Sequence, residues 1–258
     1  MKLPIKRFIY QAKFTENLAF TGYLTISFII NNFARYKLFY TCRHMIEIRR
    51  FAFNPFQVNT YLLWDETKEC AIVDPGCYDE KERSAITDFI EKEGLKPVVL
   101  VNTHSHIDHI VGNEFISGTY NLEITAHEAG KRFAENAHQN AFIYGFSGVE
   151  FLTPQNHIEE GDKVTFGSSA LEVLDTPGHA DGSICLVNHE YKFVIAGDVL
   201  FMQGIGRTDL PTGNYDLLLK NIKEKLFTLG SDYTVYPGHG PETTIGMEKN
   251  SNPFLVKL

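Results

Sequence analysis

Thr103-His104-Ser105-His106-Ile107-Asp108-His109 sets three imidazoles and one carboxylate within six consecutive residues. Groups of this kind hold divalent cations, the imidazole through a neutral nitrogen and the carboxylate through a charged oxygen. Just upstream, Pro97-Val98-Val99-Leu100-Val101 is an unbroken apolar run, the pattern of a buried strand. His104 and His106 stand two apart at its end. In extended backbone, residues i and i+2 point to one side, so both rings can face a single point. Asp108 and His109 follow where the chain is expected to turn into a short helix over 109–115, and would face a second point beside the first. A chance polar loop has no use for this spacing, and burying such groups without partners is costly.

Three later stretches place a residue of the same kind at a strand-end turn. Thr176-Pro177-Gly178-His179 follows a strand ending at Asp175. Gly197-Asp198 follows Val194-Ile195-Ala196, and Tyr236-Pro237-Gly238-His239-Gly240 follows Tyr233-Thr234-Val235. Taken singly, an Asp or His after Gly is an ordinary turn residue. With the first cluster, these make seven candidate ligands, enough for two ions that share one carboxylate while water completes each shell.

The elements that must position these residues read as strands and helices from position 45 onward. Ile46–Phe53, Gln57–Trp64 and Glu69–Val73 predict three strands, and Asp74-Pro75-Gly76 breaks the sheet. Asp79 with Glu82 resembles a capping box. Ala85, Ile86, Phe89 and Ile90 form an apolar helical stripe, and Gly94 is a suitable stop. Beyond the histidine stretch we expect a short strand over 122–126 and a helix over 127–137. Asn140–Gln155, with its aromatics, reads as a long loop, either lying over the site or crossing the surface packed by its own rings. Strands are expected over 163–166, 170–175, 183–188, 193–196 and 232–236, with helices over 215–227 and 243–249. Two strand-rich halves, each closed by helices, suggest two sheets packed face to face with helices outside.

The totals agree with a globular chain. Of 258 residues, 43% are hydrophobic and 22% charged, and the net charge of −8 argues against a general nucleic-acid surface. The four cysteines, Cys42, Cys70, Cys77 and Cys185, are scattered without a C-x-x-C pair, as in a cytoplasmic protein with reduced thiols. Cys185 sits in an apolar strand pattern and reads as core. The other histidines, His44, His127, His138, His157 and His189, show no ligand spacing. Residues 1–44 stand apart, with seven Lys and Arg against a single Glu, so the −8 of the whole chain becomes −14 for the remainder. Their most apolar run, 18–30, falls short of the roughly 20 residues of a membrane span and is not placed like a signal peptide. They read either as a basic aromatic extension touching a membrane surface or partner, or, the reading we favour, as sequence upstream of a true start at Met45.

His104-x-His106-x-Asp108-His109, followed in order by His179, Asp198 and His239, resembles the metallo-β-lactamase superfamily, and Asp74-Pro75-Gly76 matches its first motif. The likeness covers the chain from residue 45 onward as one domain. It implies an α/β (α+β) fold, a four-layer αββα sandwich with a dinuclear site at one rim of the sheets. Carried over by position, it implies a first ion on His104, His106 and His179, and a second on Asp108, His109 and His239. Asp198 would bridge them. Asp74 would orient a ligand from behind, unless it is a plain turn residue. The ions implied are divalent, zinc foremost, with iron or manganese as alternatives.

Within the superfamily the chain looks most like the hydroxyacylglutathione hydrolase (glyoxalase II) branch in its short form, since Asp198 is followed by Gly206-Arg207-Thr208-Asp209-Leu210. The β-lactamases proper usually have Cys at the position of Asp198, so antibiotic hydrolysis is not what this likeness implies. Full-length members of the branch continue into a helical domain that supplies part of the glutathione site, which is not expected here. The implied reaction is hydrolysis of a small-molecule thioester such as S-lactoylglutathione by a metal-bridging hydroxide, which Asp108 would help to orient. Arg207 would hold a substrate carboxylate or else form an ordinary loop ion pair. The neighbouring persulfide dioxygenases, with one Fe(II), give the competing reading, and a lactonase or phosphodiesterase of the same superfamily remains open. No nucleic-acid partner and no membrane span are expected.

Overall fold

A computed structural model describes residues 45–256. The expectations for 1–44, with Cys42 and His44, lie outside the described residues. Two six-stranded mixed sheets carry the molecule. The first has β1 (Glu47–Phe53), β2 (Val58–Trp64), β3 (Glu69–Val73), β4 (Lys96–Val101), β5 (Ile124–Ala126) and β6 (Asn156–His157) in that order. The second comprises β7 (Lys163–Phe166), β8 (Ser169–Asp175), β9 (Ile184–Asn188), β10 (Phe193–Gly197), β13 (Thr234–Pro237) and β14 (Thr243–Thr244), in the order β14-β13-β10-β9-β8-β7. A separate hairpin pairs β11 (Leu200–Phe201) with β12 (Gly204–Ile205).

Strand alternation builds the layers. Tyr61 and Leu63 of β2 and Ala71 and Val73 of β3 meet Ile184 and Leu186 of β9 and Phe193 and Ile195 of β10 in one buried cluster between the sheets. The intervening residues face outward and are buried as well. Leu62, Cys70 and Ile72 pack with Ile86 and Ile90 of α1 (Glu80–Glu93). Cys185, Val194 and Ala196 pack with Leu218 of α5 (Tyr215–Asn221) and Ile245 of α6 (Ile245–Ser251). A strand with both faces covered must be apolar at every position, which explains the continuous apolar runs. The result is the expected four-layer αββα sandwich. Burial pushes the Cys70, Cys77 and Cys185 thiols up to about 12, so these are inert core groups.

Helix α1 starts and stops where the sequence predicts. The Asp79 side chain accepts from the Glu82 N–H, and Gly94 closes the helix at φ 64°. The Glu82 carboxylate reaches back to Asn54 and Tyr78 N–H groups rather than to Asp79. The single helix expected over 109–115 is two: α2 (Ile107–Ile110) and α3 (Asn113–Tyr120). The break falls at Gly112, whose N–H donates to the Pro75 carbonyl at 2.8 Å. A Cβ there would lie 2.5 Å from that same oxygen. The helix expected over 127–137 opens as a 3₁₀ turn at Glu128–Gly130 and continues as α4 (Lys131–Asn140). The helix expected over 215–227 is α5 extended through a wider π-type turn, in which the Phe227 N–H reaches the Ile222 carbonyl.

Both expectations for 140–155 hold in part. Asn140 and Tyr144 border the cavity at the site, while Phe146 and Phe151 are buried in a small cluster with Ile110 and Val111. Among the described residues, no helix is long and apolar enough to cross a membrane.

Candidate metal centre

Every candidate ligand leaves the C-terminal end of a strand at one rim of the sandwich. β4 delivers His104, His106, Asp108 and His109; β8 delivers His179; β10 delivers Asp198; β13 delivers His239. Three groups within this set have their donor atoms mutually within 4.8 Å: His104, His106 and His179; His104, His109 and Asp198; and Asp108, His109 and His239. His106 Nδ1 and His179 Nε2 are 2.9 Å apart. Asp198 spans the groups, with Oδ1 3.4 Å from His109 Nε2 and Oδ2 3.6 Å from the Nε2 atoms of both His179 and His239. Asp108 Oδ2 is 3.2 Å from His239 Nε2.

Three of the imidazoles are held from behind by acceptors. His179 Nδ1 donates to the Arg207 carbonyl at 2.8 Å, His239 Nδ1 to the Phe56 carbonyl at 3.0 Å and His109 Nδ1 to Asp74 Oδ2 at 3.0 Å. A ring that donates through Nδ1 turns a bare Nε2 inward, the tautomer that a cation requires. Asp74 also accepts from the Thr103 N–H at 2.7 Å and the Thr103 hydroxyl at 2.6 Å. The same hydroxyl oxygen lies 3.2 Å from His104 Nδ1. Asp74 therefore backs the His109 ring directly and the His104 ring through the Thr103 hydroxyl, and it is 1% exposed. It holds a left-handed φ of 51° to do so.

Close backbone approach is built in beside it. A Cβ at Gly238 would stand 2.1 Å from Asp198 Oδ1 and 2.9 Å from the His109 ring. Asn59 and Tyr61 of β2 donate to the Pro237 carbonyl at 2.9 and 2.7 Å, and Asn59 also donates to the Gly240 carbonyl at 2.8 Å. The turn carrying His239 is thereby fastened to the first sheet.

These residues fit divalent cations on several grounds. His104 Nε2 and Asp198 Oδ1 are buried yet make no hydrogen bond, a costly state without an unseen partner. The Nε2 atoms of His109 and His239 lie 3.3 Å apart, close enough that a proton or a cation must sit between them. The electrostatics divide the same way. Burial, with the neighbouring His109 and His106 rings, holds His104 well below the usual imidazole range. Burial and His179 push His106 down to about 4. Burial also opposes protonation of His109, but Asp108, Asp198 and Asp74 outweigh it and hold this ring well above its ordinary value. Burial likewise works against charge on Asp108 and Asp198, and His109 in first place outweighs it, keeping both below the ordinary carboxylate value.

Arg207 borders the cavity, but its guanidinium forms a bidentate pair with Asp209 at 2.8 and 2.6 Å. Its main-chain carbonyl, not its side chain, touches a candidate ligand. The groups that sequence reasoning missed are of this sort: the Arg207 and Phe56 carbonyls, and Thr103, whose only signal is its place between the apolar strand and His104. His138, His157, His189 and His127 lie apart from the centre. His138 Nε2 accepts from the Phe151 N–H, His157 pairs with Glu128, His189 bonds Tyr233 and Glu172, and His127 accepts from the Ala129 N–H.

Residues 53–239 match the family described as the metallo-beta-lactamase superfamily. The chain is 39% identical over 202 residues to the hydroxyacylglutathione hydrolase GloC of Haemophilus influenzae, covering 78% of this chain and 93% of that one. Among solved structures it is similar to the BLEG-1 B3 metallo-beta-lactamase, with a TM-score of 0.75, 32% identity and coverage of 81% of this chain and 99% of the other. It is also similar to TTHA1623, solved in a di-iron-bound form, with a TM-score of 0.72, 31% identity and coverage of 80% and 100%.

Proposed function

The chain belongs to the metallo-beta-lactamase superfamily, and on that premise we propose that this metal-dependent hydrolase cleaves thioesters, S-lactoylglutathione being the first substrate to assay. The observation that carries the reading is the convergence of seven ligand-type side chains on one rim, in front of a cavity of about 450 Å³. The thioester class is supported by the likeness to GloC. In this reading His104, His106 and His179 would hold one ion, Asp108, His109 and His239 would hold the other, and Asp198 would serve both. Zinc is the first choice, because imidazole and carboxylate suit it without redox chemistry.

Bound there, divalent ions supply an acidified water, its pKa brought from about 15.7 toward about 7, and an electrophile for a carbonyl oxygen. The protein's own groups do the rest. Asp74 and the Arg207 and Phe56 carbonyls lock the imidazole tautomers, so no ring has to reorient during turnover. Asp108, partly exposed to the cavity, would orient the attacking water through a hydrogen bond to its carboxylate. A thiolate leaves without help from a strong acid, so the reaction calls for no separate general acid. Arg207 would take a substrate carboxylate only by releasing Asp209. Arg207→Ala therefore raises KM for S-lactoylglutathione if the role is real, and leaves it unchanged if the pair with Asp209 is only structural.

The set His104, His109 and Asp198 supplies a second reading. Two imidazoles and one carboxylate are the ligand type of non-haem Fe(II) oxygenases, so a persulfide dioxygenase is the alternative. Metal analysis of aerobically and anaerobically purified protein, paired with thioester and β-lactam assays, separates the readings. About two equivalents of metal with thioester cleavage supports the hydrolase. One iron, oxygen uptake with glutathione persulfide and no cleavage would replace it with the dioxygenase, and β-lactam cleavage alone would move the substrate class.

A further inference from the structure

The metal centre forms the floor of a cavity whose other walls are largely apolar, with Ser105, Asn140 and Arg207 as the polar exceptions. Ile107 and Phe133 come from the first sheet's side, and Phe201, Ile205 and Leu210 from the second half of the chain. At about 450 Å³ it lies within the range of sites that enclose a small organic molecule. Among the described residues that line it, Arg207 alone carries a Lys or Arg charge, and that charge is held by Asp209. Glutathione carries two carboxylates and an ammonium group, and this wall offers them one cation already engaged. The apolar character continues outward. Phe56 is half-exposed and stacks near Tyr144 and Phe146, and on the turn that follows α4 Phe142 and Ile143 are 87% and 78% exposed beside the cavity-lining Asn140 and Tyr144. Adjacent exposed apolar residues in a segment whose neighbours line a pocket are a feature of binding surfaces.

We propose that the apolar wall receives an extended hydrocarbon acyl chain, so that the preferred substrates are medium-chain acyl thioesters of a small thiol rather than the lactoyl ester of glutathione. The chemistry rests on the thioester reading above: water adds to the acyl carbon, the C–S bond breaks, and a carboxylic acid and a thiol are released, with no oxidant or reductant required. The specificity rests on the cavity alone. Each buried methylene removes apolar surface from water, which corresponds to a gain of about threefold to fourfold in kcat/KM per carbon until the cavity is filled.

The test uses the metal-loaded full chain and thioesters of N-acetylcysteamine, from acetyl to decanoyl, beside S-lactoylglutathione. Thioether analogues of the same lengths, which lack the scissile carbonyl, are titrated by calorimetry. The expected result is a kcat/KM that climbs with chain length, thioethers that bind more tightly in step, and a slope flattened in Leu210→Asn. A flat or falling series with S-lactoylglutathione fastest overturns the proposal and leaves the thioester hydrolase standing. Thioethers that tighten with length, with no thioester cleaved, uphold the apolar site and remove the hydrolase reading. Neither cleavage nor length-dependent binding removes both.

Discussion

The side chains that would meet the cations are only half of the candidate centre; the groups behind them decide whether those rings are ready. Asp74 accepts three hydrogen bonds, two from Thr103 and one from His109. Asp74→Asn cannot accept all three and leaves the His109 tautomer unset. We expect a loss of about tenfold to a hundredfold in metal affinity, measured by chelator competition, with the fold retained. An affinity equal to wild type would reduce Asp74 to a turn residue. Gly238→Ala is harsher, since the added Cβ would sit 2.1 Å from Asp198 Oδ1. A displacement of the carboxylate by about 1 Å is expected to cost on the order of a hundredfold in rate, read by kcat alongside metal content; normal kcat would show that the backbone yields freely there. His104, His106, Asp108 and His109 were legible from their local spacing, whereas His179, Asp198 and His239 look like ordinary turn residues one by one and gained weight only beside that cluster. The Arg207 and Phe56 carbonyls were not legible, because a main-chain acceptor is the same at every position and only the fold selects it.

The elements divide along the same line. Long strands and α1 follow from apolar period and caps, whereas β6, β11, β12 and β14 are two residues each and exist only through their partners. The helix expected over 109–115 broke because Gly112 approaches the Pro75 carbonyl, a contact between segments that no local pattern encodes. At the end of the sandwich away from the metal centre, Asp65 joins the β2–β3 turn to the β7–β8 turn. Its carboxylate accepts from the Thr67 N–H and hydroxyl, the Ser168 N–H and the Ser169 hydroxyl. Burial opposes this charge, but the hydroxyls of Thr67 and Ser169 and the two N–H groups outweigh it and lower the Asp65 pKa from 3.8. A carboxylate depressed in the folded state stabilises above its unfolded value and loses that contribution as pH falls through the folded one. Asp65→Ala should therefore cost about 1–3 kcal/mol at neutral pH, and the gap from wild type should narrow below pH 3.8. Urea unfolding at several pH values reads both, and a pH-independent gap would assign the loss to packing instead.

At the scale of the molecule, the fold class was legible because two-faced burial writes itself as continuous apolar strands, and the four layers follow from covering both faces of each sheet. The rim left over collects Asp74, Asp108 and Asp198 in a small volume. Cations that bind only the folded state stabilise it by mass action, by about 2.7 kcal/mol at a hundredfold excess over Kd. Stripping the metal should lower the melting temperature by about 5–10 °C at that excess, and calorimetry with and without chelator checks it; an unchanged transition would mean that the folded centre binds no metal under those conditions. The fastening of β2 to the last ligand turn has a consequence for how the protein is made. Asn59 and Tyr61 hold the carbonyl of Pro237, close to 180 positions later, and Val58 bridges to His239 itself. A growing chain thus has β2 in hand long before Pro237 and His239 are synthesised, and the centre is complete only once the segment bearing His239 docks on it.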